Sequence, residues 1–197
     1  MTGPDLHQTL MSALSVAGGA SSDFDLNPDV SRPQGRVLRD AGVLVAVRAD
    51  TGSLILTKRS ARLKHHPGQI AFAGGKVDAG DNDAIAAALR EAHEEIGLPT
   101  QQVEVLGTMA SHETVTAFNV TPVIALVHGR FDPVPEAGEV AEVFEVPLAH
   151  VTNPANFRIE GRQWQGRKRQ YYTVPFGPYY IWGATARILR GLADRMS

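Results

Sequence analysis

The sequence contains no cysteine. That excludes a disulfide scaffold, a cysteine nucleophile, thiolate-bound zinc and iron–sulfur chemistry, and it agrees with a reducing compartment. Neither sign of charge is in excess, since 19 Lys and Arg against 21 Asp and Glu leave a formal charge of −2. Bulk electrostatics therefore gives no reason to expect a nucleic-acid partner. No apolar run approaches the ~20 residues needed to cross a bilayer, the run at 41–47 being far too short. Residues 1–10 lack a basic start followed by an apolar stretch, so no signal peptide is expected there. Neither a P-loop nor a G-x-G-x-x-G occurs, which removes the usual warrant for ATPase and dinucleotide readings. The expectation is a soluble, cytoplasmic protein without a membrane partner, large enough at 197 residues to bury a core unaided. A homodimer is the default assembly for such a chain.

What is present divides into periodic segments. Leu6, Leu10 and Leu14 recur every fourth residue, which predicts a short amphipathic helix. A Gly-, Ser-, Asp- and Pro-rich link follows over 18–33. Residues 41–47 and 54–58 read as strands of a hairpin turned by Ala49-Asp50-Thr51-Gly52. Residues 65–83, with Gly68, Gly74, Gly75 and Gly80, read as loop. Ala84–Ile96 is the strongest helix: Asp81 or Asp83 can cap it, Gly97 ends it, and Pro99 bars continuation. Strands are expected at 103–106, 120–127 and 140–146, a weaker one at 171–174, and a closing helix at 184–196. The order predicts an α+β fold, αβα-layered, with a mixed β-sheet flanked by helices.

Charge is unevenly placed. Lys58, Arg59, Arg62 and Lys64 make 58–66 strongly basic, whereas Asp81, Asp83, Glu91, Glu94 and Glu95 outweigh Arg90 over 81–95. On the predicted helix, Ile85, Ala88, Leu89, Ala92 and Ile96 share an arc that must face the core. Glu91, Glu94 and Glu95 share another, at i, i+3 and i+4. Like charges at those spacings destabilise a helix by a few tenths of a kcal/mol per pair, roughly, and they sit in the last turn, where the helix dipole disfavours anions. Two readings stay open: a solvated acidic face, or a site for Mg²⁺ or Mn²⁺, hard cations that want converging carboxylates. An EF-hand is excluded because no loop beginning at Asp78 or Asp81 has the required spacing.

Gly75-Lys76-Val77-Asp78-Ala79-Gly80-Asp81, then eight residues, then Arg90-Glu91-Ala92-His93-Glu94-Glu95-Ile96-Gly97-Leu98 closely resembles the signature of the Nudix family. The second half matches at every fixed position. In the first half, Asp81 replaces the family's Glu and one extra residue precedes Arg90. Upstream, Ile55-Leu56-Thr57-Lys58-Arg59-Ser60, Lys64, Gly68 and Phe72-Ala73-Gly74-Gly75 resemble the stretch that the coenzyme A diphosphatase subset carries. Lys64 stands there where Arg is expected, and Ala73 where Pro is. Residues 180–187 are also similar to this subset.

The resemblance implies a Nudix fold over 35–197, with 1–34 an N-terminal helix and linker packed on it. It implies a metal-dependent diphosphatase that turns coenzyme A or acyl-CoA, the small-molecule partner, into 3′,5′-ADP and a 4′-phosphopantetheine product. Glu91, Glu94 and Glu95 would hold Mg²⁺ or Mn²⁺, with Arg90 orienting a carboxylate. Glu139, ahead of Glu142, is a candidate general base. Arg59 and Lys64 would meet substrate phosphates, with Gly74 and Gly75 letting the backbone approach. The basic segment 158–169 reads as a solvated hairpin, although it could reach a phosphate, and Trp164, Tyr171 and Tyr172 could stack on a base. A different diphosphate substrate and a silent binding module of the same fold are the other readings.

Overall fold

A computed structural model describes residues 3–33, 35–164 and 166–197, with all their side chains except those of Gly3, Pro4, Trp164 and Arg167. Met1, Thr2, Gln34 and Gln165 lie outside the described residues, as does the expected stacking of the Trp164 side chain. In chain order the elements are α1 (Gly3–Ser15), β1 (Ser21–Ser22), β2 (Arg39–Arg48), β3 (Ser53–Arg59), β4 (Ile70–Ala71), β5 (Ala73–Lys76) and α2 (Ala84–Ile96). Then come β6 (Val103–Thr108), β7 (His112–Glu113), β8 (Phe118–Val127), β9 (Val140–Pro147), α3 (Leu148–Val151), β10 (Arg158–Trp164), β11 (Arg167–Thr173) and α4 (Gly183–Met196).

The mixed sheet runs β1-β7-β8-β2-β3-β4, with β5 also on β2, β6 on β8 and β9 on β3. Its spine is the parallel pair β2–β8, in register from Arg39↔Phe118 to Arg48↔Val127. Strand alternation sends successive side chains to opposite faces, and here both faces are covered. Val45, Val47, Ile124 and Leu126 pack with Leu6 and Leu10 of α1 and Leu189 of α4. Leu44, Ala46, Val123, Ala125 and Val127 pack with Ala88, Ala92 and Ile96 of α2. Burial on both sides explains why these strands read as continuous apolar runs. No helix among the described residues is long and apolar enough to cross a membrane.

Two details differ from the sequence reading. The hairpin of β2 and β3 pairs at Val47↔Leu54 and then opens: β5 takes up β2 at Ala41–Leu44, while the other edge of β3 pairs with β9 along Ser53–Arg59. Residues 65–83 are not all loop: β5 pairs with β2 from Ala41↔Lys76 to Leu44↔Ala73. Gly74 and Gly75, expected in a loop, lie in that strand and supply clearance there. A Cβ on Gly75 would overlap the Glu91 carboxylate, and one on its partner Gly42 would overlap the Ala84 carbonyl. The pair lets α2 lie directly on the strands. Gly42→Ala is therefore expected to destabilise the protein by about 1–3 kcal/mol, since backbone of α2 must move to admit a methyl group; a denaturant midpoint unchanged from wild type would refute this.

The 158–169 segment forms an exposed two-stranded hairpin of β10 and β11, as expected. Of its neighbours, Tyr172 packs against the core beneath Arg187, and Tyr171 sits beside Trp182, ring centroids 5.1 Å apart.

Candidate active site

Helix α2 is started by Asp83, whose carboxylate accepts from the Ala86 N–H at 2.8 Å. It stops at Gly97, left-handed at φ 71°, whose N–H bonds back into the last turn. Asp81, the other capping candidate, is taken elsewhere. Arg90 donates to it from Nε at 3.0 Å and from Nη2 at 2.9 Å, a bidentate pair that holds the Asp81 carboxyl below its usual range. Asp81 also accepts the Asp78 N–H at 2.9 Å, so it closes the turn after β5. The same guanidinium reaches forward from Nη1 to Glu91 and to Glu94, each at 3.0 Å, and from Nη2 to the Lys76 carbonyl at 3.3 Å. Arg90 thus ties the β5–α2 turn to the acidic face.

The three glutamates occupy three environments. Glu95 is buried, only 6% exposed, and accepts the Gly74 N–H at 3.2 Å. Burial is the main cause that pushes its carboxyl up to about 7, with Glu91 and Glu139 adding to the rise and Gly74 and Arg59 opposing it. Glu91 is half-buried over Gly75, and burial raises its carboxyl too, against the pull of Arg90. Glu94 is exposed and pairs with Arg90. Among the described residues no three His, Asp or Glu side chains stand close enough together to hold an ion as they are. Glu91 and Glu95 nevertheless fit a hard dication. Both are oxygen donors whose charge burial opposes, and among the described residues no cation forms an ion pair with Glu95. Glu94 could join them by leaving Arg90.

The basic side of the site is Arg59, at the end of β3. Its N–H donates to the Gln69 carbonyl at 2.9 Å, and its own carbonyl accepts the Gly68 N–H at 3.1 Å, which pins the 60–68 loop at its base. The Arg59 charge bears on Glu95, and its buried Nε has no hydrogen-bond partner among the described residues. Lys64 is exposed on that loop, and no contact among the described residues brings it to α2.

Glu139 is exposed and precedes Val140, the residue facing Arg59 across the β3–β9 ladder. Its carbonyl accepts the Ser60 N–H at 2.7 Å, and its N–H donates to Glu136 Oε2 at 2.7 Å. Its charge contributes to the raised carboxyls of both Glu91 and Glu95. Glu142 is engaged by the Tyr179 hydroxyl, which donates to it at 2.5 Å. The structure thus brings Glu91, Glu95, Arg59, Glu139, Gly74 and Gly75 to one patch, with Arg90 and Glu94 at its rim. Sequence reasoning missed Gly42, although a lone glycine inside an apolar strand is itself a sign of close backbone approach.

A model of the NUDIX domain matches residues 38–165 of the chain. The protein named "Uncharacterized Nudix hydrolase NudL" from Enterobacter sp. (strain 638) is 40% identical over 156 residues, 79% of this chain and 81% of that one. Its namesake from Citrobacter koseri is 40% identical over 176 residues, 87% and 92% of the two chains. Among solved structures, the Nudix hydrolase RenU from M. smegmatis is 29% identical, with a TM-score of 0.47 over 62% of this chain and 78% of that one. The helix that carries Glu91, Glu94 and Glu95 lies within the matched residues, and this chain belongs to the Nudix hydrolase family.

Proposed function

We propose that this Nudix hydrolase cleaves the diphosphate of coenzyme A or acyl-CoA with water, giving 3′,5′-ADP and a 4′-phosphopantetheine product. The family reading supplies the diphosphate linkage. The observation that carries the reading of the site is Arg59: a cation with an orphaned Nε whose charge bears on Glu95, a carboxylate whose own charge burial opposes. A diphosphate would supply the acceptor that Arg59 lacks. The choice of coenzyme A rests on residues 55–75 and 180–187, which resemble the subset with that activity.

Glu91, Glu95 and, after leaving Arg90, Glu94 would hold Mg²⁺ or Mn²⁺. When bound, such an ion neutralises phosphate charge and makes an attacking water more acidic. Arg59 orients the phosphoryl oxygens and stabilises the charge that develops on them. Glu139 accepts the proton of the water; Glu142 is less suited, since Tyr179 already occupies one of its oxygens. Arg90 acts at one remove, by holding Glu91 and the β5–α2 turn.

A second reading keeps the chemistry and changes the substrate to a dinucleotide, a nucleotide sugar or an oxidised nucleotide. The exposed Lys64 favours it, because a lysine lacks the bidentate fork of the Arg that the coenzyme A subset has there. Incubating the protein with each class of diphosphate and Mg²⁺, followed by chromatography, decides between them. Release of 3′,5′-ADP from coenzyme A, abolished by a chelator and restored by excess Mg²⁺ or Mn²⁺, is the expected result. Turnover of nucleotide sugars with coenzyme A left intact would overturn the substrate; turnover unaffected by the chelator would overturn the metal site.

A further inference from the structure

A second group of reactive side chains lies in the link between α1 and β2. β1 runs parallel to β7, and the register sets Ser21 beside His112. His112 is fully buried, and both of its ring nitrogens are engaged. Nδ1 lies 2.9 Å from Ser21 Oγ, and Nε2 lies 3.1 Å from Asp23 Oδ1. A carboxylate only accepts, so Asp23 holds the ring proton on Nε2. Nδ1 is then a bare lone pair, and the Ser21 hydroxyl donates to it. The other Asp23 oxygen accepts the Val115 N–H at 2.9 Å, which fixes the carboxylate in turn.

This chain of hydrogen bonds is not needed to fasten the link. The backbone already does so, with Ser21 N–H on the Ser111 carbonyl and Asp23 N–H on the Glu113 carbonyl, each at 2.9 Å. Ser21 lies on the wall of a cavity of about 210 Å³, large enough for a short acyl group. Met109, Pro122 and Ile188 give that cavity apolar wall, while Arg187, Asp194 and Arg195 line it with charge of both signs. Arg187 pairs with Asp25 through Nη2 at 3.1 Å, yet its buried Nε has no partner among the described residues. A hydroxyl polarised by a base, an acid orienting that base and a spare donor at one small cavity are the parts of a serine hydrolase centre.

We propose that Ser21 is the nucleophile of a second site, built from residues other than those of the diphosphate site, that hydrolyses small carboxylic esters or thioesters. Ser21 Oγ attacks the acyl carbon as its proton passes to His112 Nδ1, and Asp23 stabilises the imidazolium. The carbonyl oxygen takes up negative charge beside Arg187. The bond to the alkoxide or thiolate then breaks, and that leaving group takes the proton from Nδ1. Water attacks the acyl-Ser21 in the same way, losing its proton to His112 and returning it to Oγ as the acid departs.

An alkyl fluorophosphonate tests this without a substrate in hand, since Oγ forms a bond to phosphorus as fluoride leaves. Mass spectrometry of wild-type protein is expected to find the adduct on the peptide carrying Ser21. Ser21→Ala should abolish both the adduct and the hydrolysis of p-nitrophenyl acetate. Asp23→Asn should slow labelling about 100-fold, because an amide no longer dictates the imidazole tautomer. Both variants should keep their diphosphate hydrolysis, which serves as the measure of folding. Wild-type protein that cleaves diphosphate but takes no label at Ser21 would overturn the proposal, as would an Asp23→Asn variant labelled at the wild-type rate.

Discussion

Glu95→Gln is expected to make the metal-free protein more stable above pH 7 while lowering turnover about a thousandfold. The stability half follows from the environment of the carboxyl. In the folded chain burial lifts it to about 7, from an ordinary 4.5 in the unfolded chain. Between those two values the folded state keeps a proton that the unfolded state has released. Stability therefore falls as pH rises through that window and stays low above it, by as much as about 3 kcal/mol from this group. Gln has no charge to bury and can still accept the Gly74 N–H. Thermal unfolding in chelator at pH 5 and pH 8 should thus separate the proteins at pH 8 and bring them together at pH 5. The activity half follows because a neutral amide is a poor ligand for a hard dication; a thousandfold loss corresponds to about 4 kcal/mol of transition-state stabilisation. Equal stability of the two proteins at pH 8 would refute the account of the buried charge. Turnover within about tenfold of wild type would remove Glu95 from the site.

Arg90→Lys should lower kcat about 100-fold and weaken activation by Mg²⁺ about 10- to 100-fold, with KM little changed. Arg90 makes five hydrogen bonds, to Asp81, Glu91, Glu94 and the Lys76 carbonyl, from three nitrogens in a rigid plane. An ammonium at the end of a flexible chain keeps the charge but cannot span Asp81 and Glu91 together. Glu91 then loses the group that sets its rotamer, and the turn from β5 into α2 loses its clasp. The variant should unfold about 1–3 kcal/mol more easily, the scale for lost hydrogen bonds to charged groups. Metal titration of the rate distinguishes positioning from mere loss of stability: well below the unfolding temperature, only a positioning role shifts the Mg²⁺ dependence. An unshifted dependence with normal kcat would leave Arg90 a structural clasp alone.

Glu95 and Glu91 are held where their charges are disfavoured, and the change expected to stabilise the protein at Glu95 is the one expected to end turnover. Proteins commonly keep such unfavourable groups where function needs them.

Local pattern was enough for much of this molecule. The span of α2 from Ala84 to Ile96, its stop at Gly97 and the strands through residues 41–47 and 120–127 follow from periodicity and from breakers in the chain itself. The family is legible as well, because Arg90, Glu91, Glu94, Glu95 and Gly97 lie within one short segment that resembles its signature. Other features depend on partners distant in the chain. A helical wheel sets Glu91, Glu94 and Glu95 on one arc as equals; the packing of α2 on β2 and β5 buries Glu95, half-buries Glu91 and leaves Glu94 in water. Gly74 and Gly75 look like a turn until Gly42, over thirty residues earlier in the chain, pairs with Gly75 and makes them a strand under the helix. Nor does the sequence alone bring Ser21 and Asp23 to His112, which only the parallel pairing of β1 with β7 achieves. Spacing along the chain determines which residues can share a face; which of those faces loses its water is decided by what the rest of the fold lays against it.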